Sequence, residues 1–416
     1  MGMTCVLNSL NMVTDGMTTL REMQPKVFYN IRVEMLRVAS NPSGAFLTRI
    51  GEFVDKVEIY AFHEQVFQIL AGTNLTNVEV FEGNSLKQAI IGEGDSTIEV
   101  LSFYNSKLEH IPPTIRNLKL LTDVTISRCA LRNISLNVFS KNARLKWVDL
   151  SYNEIATIMP IDNADGDVPL SIENLYLSSN RLENIDMTAF AGLSKLGMID
   201  LRYNNLMKVA AERTITWPNM EMLDISYNQL RTIDLQWLSA PNLKRLILSN
   251  NLLDKIPQRL RRFPNLQLIG LSDNKFAGID LAPLNGLPEL NSIDVSNNPA
   301  TRYIRSSRPL RLPKLDTLYA ETCALSRFNT TGIDLPVVTF ISLAHNNFST
   351  VPPLGQAFPT IESFSLVENP LSCNVLKARA DIILSGRLIM GPPQDPSDCP
   401  NGSTQIKESF LVCCKA

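Results

Sequence analysis

The phrase Leu-x-x-Leu-x-Leu-x-x-Asn-x-Leu returns about every 23 or 24 residues along most of this chain. One copy is Leu145, Val148, Leu150, Asn153 and Ile155; another is Leu196, Ile199, Leu201, Asn204 and Leu206; a third is Leu243, Leu246, Leu248, Asn251 and Leu253. A period this short and persistent leaves few architectures open. Each copy is one small unit that cannot cover its own apolar side, and only stacking on its neighbours buries a continuous core.

The residues around the second and third Leu positions predict a short strand. Side chains alternate between the faces of a strand, so those two apolar residues turn inward and the residues beside them turn out. At roughly 25 cal/mol per Å² of apolar surface, about a dozen coils bury ample area for a stable fold. The Asn turns the chain into the core, where its amide satisfies backbone groups that have no water. First-Leu positions run through Leu75, Ile98, Leu121, Leu145, Ile172, Leu196, Met220, Leu243, Leu266, Leu290, Leu315, Val338 and Ile361, with a weaker copy starting at Val54. Ser106, Cys129 and Cys323 stand at the Asn position of their copies. This is the wording of a leucine-rich repeat. The expected fold is an α/β solenoid: a curved horseshoe with a parallel sheet on its concave face and a convex side mixing helical, 3-10 and extended links. Pairs such as Phe190 with Leu193 and Leu284 with Leu287 predict helical turns, while Ile111-Pro112 and Ile256-Pro257 predict extended or 3-10 paths.

The expected organisation is an undefined segment over 1–25, an N-terminal cap over 26–53, repeats over 54–371 and a cysteine-bearing C-terminal cap over 372–416. The cap segment carries Val27, Phe28, Ile31, Val33, Leu36 and Val38. The longest link holds Asp162, Asp165 and Asp167, but Ile161 stands at the first ligand position of a calcium loop, so an acidic bulge is expected.

The formal net charge of −2 gives no bulk attraction to nucleic acid. Two local basic runs stand out, Arg259, Arg261 and Arg262, then Arg302, Arg305, Arg308 and Arg311; both are read as solvated convex surface. No apolar stretch is long enough to span a membrane, and residues 1–20 show no signal segment. His63, His110 and His345 are scattered and no catalytic motif is present, so no enzyme, cofactor or metal is expected.

Of the seven cysteines, Cys129 and Cys323 are expected as buried, reduced structural thiols. Cys373, Cys399, Cys413 and Cys414 follow the final repeat and read as two disulfides sealing its core edge. A bond between the adjacent Cys413 and Cys414 would be strained, so Cys373 and Cys399 each take one of them, in an order left open. Disulfides imply an oxidising compartment. The sequons at Asn74, Asn133, Asn329, Asn347 and Asn401 agree with it as candidate glycosylation sites. Cys5 is left unpaired.

The segment from Asn369 to Cys373, the isolated Cys399 and the final Cys413-Cys414, behind repeats with no paired-cysteine N-terminal cap, resembles the mosquito leucine-rich immune proteins. The resemblance covers residue 26 to the end, and its spacing to the double cysteine is the specific part. It implies secretion into haemolymph and protein partners: a complement-like thioester protein, or another leucine-rich immune protein in a disulfide-linked heterodimer. Many members carry a coiled coil after the double cysteine. This chain stops at Lys415 and Ala416, so the resemblance implies a coil-less member or a truncated one, and heterodimer formation through a coiled coil is not expected of the given sequence.

Outward positions of the middle repeats include Trp147, Asp149, Tyr176, Met198, Asp200, Arg202, Met222 and Asp224, with Tyr152, Tyr203 and Tyr227 at the strand exits. Trp147, Tyr152, Tyr176, Arg202, Tyr203, Met222 and Tyr227 are the candidate partner-binding residues, because Trp, Tyr and Arg dominate binding hot spots. The competing reading is that Asp-Leu-Ser-Tyr-Asn is ordinary wording of the repeat. The leading expectation is a secreted recognition or scaffold protein of innate immunity that acts by binding. The alternatives are an intracellular scaffold that regulates signalling proteins and the ectodomain of a leucine-rich-repeat receptor.

Overall fold

The computed structural model describes residues 4–22, 29–38, 44–161, 170–391, 399, 402–406 and 410–415. The acidic link with Asp162, Asp165 and Asp167, together with Val27, Phe28 and Asn401, lies outside them. The chain divides into two units, 1–220 and 221–416.

In the first unit nine strands run parallel in chain order: Thr4–Leu7, Asn30–Val33, Lys56–Ile59, Asn77–Val80, Val100–Tyr104, Asp123–Ser127, Trp147–Asp149, Asn174–Tyr176 and Met198–Asp200. Each pairs with the next at the same repeat position, so Val57, Val78, Leu101, Val124, Val148, Leu175 and Ile199 form one buried row. The segments expected as an undefined leader (1–25) and a cap (26–53) instead carry strands of this same sheet. Thr4–Leu7 pairs with Asn30–Val33, which pairs with Lys56–Ile59. Ile31 and Val33 bury fully beside Val57 and Ile59, and Phe46, Leu47 and Ile50 of the helix Ala45–Ile50 close the link behind them. These segments stack as coils because they carry the inward apolar pair, although Leu10 and Leu36 stand where the later coils have Asn.

In the second unit eight strands repeat the arrangement: Met222–Asp224, Arg245–Ile247, Leu268–Gly270, Ser292–Asp294, Thr317–Tyr319, Phe340–Ser342, Ser363–Ser365 and Leu388–Ile389. Behind the sheet the links vary. Met187–Phe190 and Ala282–Leu284 are 3-10 turns, as are Pro113–Asn117 and Leu260–Arg262 just after the two Ile-Pro steps. Others extend into short ladders, such as Asn184–Asp186 on Lys208–Ala210.

The asparagines form a hydrogen-bonded ladder through each unit. Asn153 Nδ2 donates to the carbonyls of Ile126 (2.7 Å), Leu150 (3.0 Å) and Ser151 (3.1 Å), and its Oδ1 accepts from Cys129 N (3.1 Å). Asn180, Asn204, Asn251, Asn274, Asn298, Asn346 and Asn369 repeat the triple donation. Where Cys stands in for Asn, the thiol approaches the same carbonyls. Cys129 Sγ lies 3.3 Å from Ser127 O, and Cys323 Sγ 3.4 Å from Glu321 O. Both thiols are free and half-buried. Burial raises both pKa values, that of Cys323 to about 11.

After the last repeat the helix Cys373–Lys377 starts on Ser372, whose Oγ accepts from Val375 N. The hairpin of Ser403–Ile406 and Phe410–Cys413 follows. Lys415 N donates to Leu371 O (2.8 Å), and the bonds Cys373–Cys414 and Cys399–Cys413 tie this segment together.

Candidate partner-binding face

The outer face of the first unit's sheet presents side chains in columns, because in-register parallel pairing puts equivalent positions side by side. Trp147 lies opposite Asn174, and Asp149 opposite Tyr176. Trp147 and Tyr176 are therefore diagonal neighbours, a spacing that aromatic side chains can bridge. Their rings meet at 4.6 Å with a 34° tilt. Tyr176 Oη donates to Met198 Sδ at 3.5 Å, which extends the apolar row one coil further. Trp147 is 38% exposed and Tyr176 half-buried. Burial, then Asp200 and Asp149, raise the Tyr176 phenol above its ordinary pKa, so it remains a neutral donor.

The acidic residues of this face serve the fold. Asp149 Oδ1 accepts from Ser151 N (2.9 Å) and Ser151 Oγ (2.5 Å). Asp200 is 1% exposed and accepts from Arg202 N, Nε and Nη2 at 2.9, 2.9 and 2.7 Å. In the second unit Asp224 holds Ser226 N and Oγ in the same way, beside the half-buried Met222. The Asp column thus fixes strand exits, as the ordinary-wording reading expects. Arg202 is held flat against Asp200 with its guanidinium still accessible.

Tyr152, Tyr203 and Tyr227 are 49%, 50% and 43% exposed, and each has a positive φ (56°, 53° and 55°). The residue before the ladder position takes this left-handed conformation in coil after coil, whatever its type: Ala61, Glu82, Asn105, Arg128, Ser179, Asn250, Thr322 and His345 do the same. Arg128 and Tyr152 occupy this position in adjacent coils, and the guanidinium lies 4.4 Å from the ring centroid. Trp147, Tyr176, Met198 and Arg202 thus gather on one stretch of the first unit, with Tyr152 and Tyr203 at its strand exits. Met222 and Tyr227 belong to the second unit.

A second aromatic column was not singled out in the sequence. Tyr60, Phe81 and Tyr104 stack at 4.6 and 4.9 Å, with Arg32 over Tyr60 at 5.2 Å. Beside them Glu58 pairs with Arg32, and burial, then Glu58, push the Glu79 carboxyl above its ordinary pKa. The signal was available, since all three aromatics directly follow the strand's second inward residue.

Asn74, Asn133, Asn329 and Asn347 are exposed. Among the described residues no group of three His, Cys, Asp or Glu side chains is placed to hold a metal ion, and no helix is long and apolar enough to cross a membrane.

Comparison with known proteins agrees with this architecture. The family described as "Leucine rich repeat" matches residues 171–230, 218–276 and 241–300, and the "BspA type Leucine rich repeat region" matches 56–159. Rat (Rattus norvegicus) lumican is 28% identical over 137 residues, covering 32% of this chain and 38% of lumican. Toll-like receptor 3 of Bos taurus is 38% identical over 82 residues, covering 19% of this chain and 9% of the receptor. The chain thus aligns with well under half the length of these relatives. Among solved structures, a leucine-rich-repeat protein of Leptospira interrogans superimposes with TM-score 0.63 at 18% identity, covering 92% of this chain and 93% of that one. The LRIM1/APL1C complex gives 0.60 at 20% identity, covering 99% and 68%, and the APL1 leucine-rich repeat domain 0.61 at 18%, covering 99% and 98%. At such identities the likeness speaks for the fold. Register, asparagine ladder and family matches agree: the chain is a leucine-rich-repeat protein.

Proposed function

We propose that this chain is a secreted binding protein of innate immunity that engages a protein partner through the outer sheet face around Trp147, Tyr176 and Arg202. The observation that carries the reading is the exposed Trp147 stacked on Tyr176, an amphipathic anchor with no structural duty comparable to that of the Asp column. Tyr152 and Tyr203 border it, while Met222 and Tyr227 offer a similar chemistry on the second unit. The disulfide-tied C-terminus and the exposed sequons support an oxidising, extracellular setting. The likeness to the LRIM1/APL1C complex, itself an assembly of named partners, and the double-cysteine spacing support an immune role. The partner in this reading is another leucine-rich immune protein or a complement-like thioester protein of haemolymph.

The test is co-purification of the full chain from native haemolymph, repeated with Trp147→Ala and Tyr176→Ala. Losing a hot-spot aromatic weakens binding by ~2 kcal/mol or more, roughly 30-fold. Partner recovery should drop accordingly while the melting temperature holds. Undiminished recovery from both variants would refute this face as the interface. Four free thiols at 373, 399, 413 and 414 in protein from its native source would refute the secreted setting.

A further inference from the structure

Two arginine runs that stand two repeats apart in the sequence meet in the second unit, and Asn285 is the seam. Arg261 Nε donates to the Asn285 carbonyl (2.9 Å), and the backbone N–H of Arg311 donates to Asn285 Oδ1 (3.1 Å). Gly286 leaves room for this, since a Cβ there would stand 2.8 Å from Arg261 Nε. On one side of the seam, Arg259 donates to Gln236 Oε1 (2.6 Å) and Arg262 to the Gln236 carbonyl. On the other, the ladder of Ile279–Asp280, Tyr303–Arg305 and Arg327–Phe328 aligns Arg305 with Asp280 and Arg327 with Tyr303. Arg302, Arg305, Arg308 and Arg327 are all exposed.

Two carboxylates, Asp280 and Asp334, offset only part of the charge of this band. Burial opposes the charge of Asp280, yet hydrogen bonds from Ser307 and Ala282 and the charge of Arg305 hold its carboxyl below its ordinary pKa. Its Oδ1 accepts from Ala282 N (3.1 Å) and Ser307 N (2.9 Å), and its charge acts on Arg305. Asp334 pairs with Arg311 at 2.5 Å. Arg302, Arg308 and Arg327 form no ion pair among the described residues.

We propose that this band is a binding site for a sulfated glycosaminoglycan, separate from the protein-binding face. The cations are all arginines, whose planar fork matches an oxyanion in two-point contact. They come from three coils, with the arginine-free coil of Asn285 bridging the first to the other two, a spread that suits an extended polyanion. The exposed aromatic of the band, Tyr303, has Arg305 over its ring at 5.2 Å, so it offers no free platform for a nucleic-acid base. The chain's net charge of −2 makes retention on a polyanion a local property rather than a bulk one.

The test uses the full chain on immobilised heparin at neutral pH, eluted with a salt gradient. The wild-type chain should be retained on heparin and pass through desulfated heparin. The triple variant Arg302→Ser, Arg308→Ser, Arg327→Ser should lose most of the retention. Its slope of log affinity against log salt should fall by roughly 2, from about 0.7–0.9 per neutralised charge on a linear polyanion. Replacing the same three residues by Lys should leave an intermediate affinity, and it keeps the proposal testable if the Ser variant does not fold. Protection of these arginines from a guanidine-directed reagent by heparin gives a second readout on unaltered protein. Equal retention on desulfated resin, unchanged binding of the folded triple variant, or stronger retention on single-stranded DNA than on heparin would each overturn it. Because Trp147 and Tyr176 are untouched, loss of heparin binding with partner capture intact separates this site from the proposed sheet-face function.

Discussion

Asn274 allows the asparagine ladder to be tested quantitatively. Its side chain donates to the carbonyls of Leu248 (3.1 Å), Leu271 (3.1 Å) and Ser272 (3.0 Å) and accepts from Leu253 N (2.9 Å), in a residue 1% exposed. In Asn274→Ala the Leu253 N–H loses this partner in the core, which costs ~1–3 kcal/mol. The Leu248 carbonyl keeps a bond from Asn251 and the Leu271 carbonyl one from Asn298, so each lost carbonyl bond costs nearer ~0.5–1 kcal/mol. Over the three carbonyl bonds and the one accepted bond the sum is about 2.5–6 kcal/mol, large for one substitution. Sharing makes a sharper prediction. Asn251→Ala combined with Asn274→Ala strips the Leu248 carbonyl of both amides, so the pair should cost about 1 kcal/mol more than the two singles added. Asn274→Ala with the distant Asn346→Ala shares no carbonyl and should be additive. Urea unfolding, with hydrogen exchange of amides in 245–300 to localise the loss, measures both. A single-site cost under about 1 kcal/mol, or strict additivity in the adjacent pair, would refute the ladder as the stabilising device.

Three further outcomes are expected. Removing the Cys373–Cys414 bond, with a sequence separation of 41, or Cys399–Cys413, with a separation of 14, should each cost about 3–4 kcal/mol by loop entropy, read by denaturation with and without reductant. The Cys323 thiol, raised by burial to about 11, is protonated more tightly in the folded chain than in the unfolded one. Its contribution is therefore complete below the unfolded thiol pKa and lost as pH rises through about 11, so stability should fall over that window and Cys323→Ser should flatten the fall. Protein from a secreting eukaryotic host should lose mass on enzymatic deglycosylation, and Gln at Asn74, Asn133, Asn329 and Asn347 together should remove most of that loss.

The repeat was legible because its inward residues are chemically restricted. Leu145, Val148 and Leu150 must be apolar to close the core, and Asn153 must offer an amide to three carbonyls. The first coils were harder to read because Ile31 and Val33 supply the buried pair without the Asn that marks its phase. Aromatic identity flagged Trp147 and Tyr176, but not the finding that Asp149 and Asp200 beside them are committed to the backbone, which depends on turn geometry. The arginine runs read as two local patches because Asn285, which joins them, carries no charge and stands in a different repeat.

The left-handed residue ahead of each ladder position has a consequence for how such a surface can change. The strain there belongs to the backbone, and for a residue with a Cβ it is of order 1–2 kcal/mol. It falls on Arg128, Tyr152, Tyr203, Thr322 and His345 alike, all of them solvent-exposed. Exchanging one exposed side chain for another at this place leaves the coil's hydrogen bonds and core untouched. Each of these five coils therefore holds one residue on display whose side chain can change without disturbing the core. A lineage of such chains can rewrite what it recognises there one coil at a time, without having to re-solve its fold.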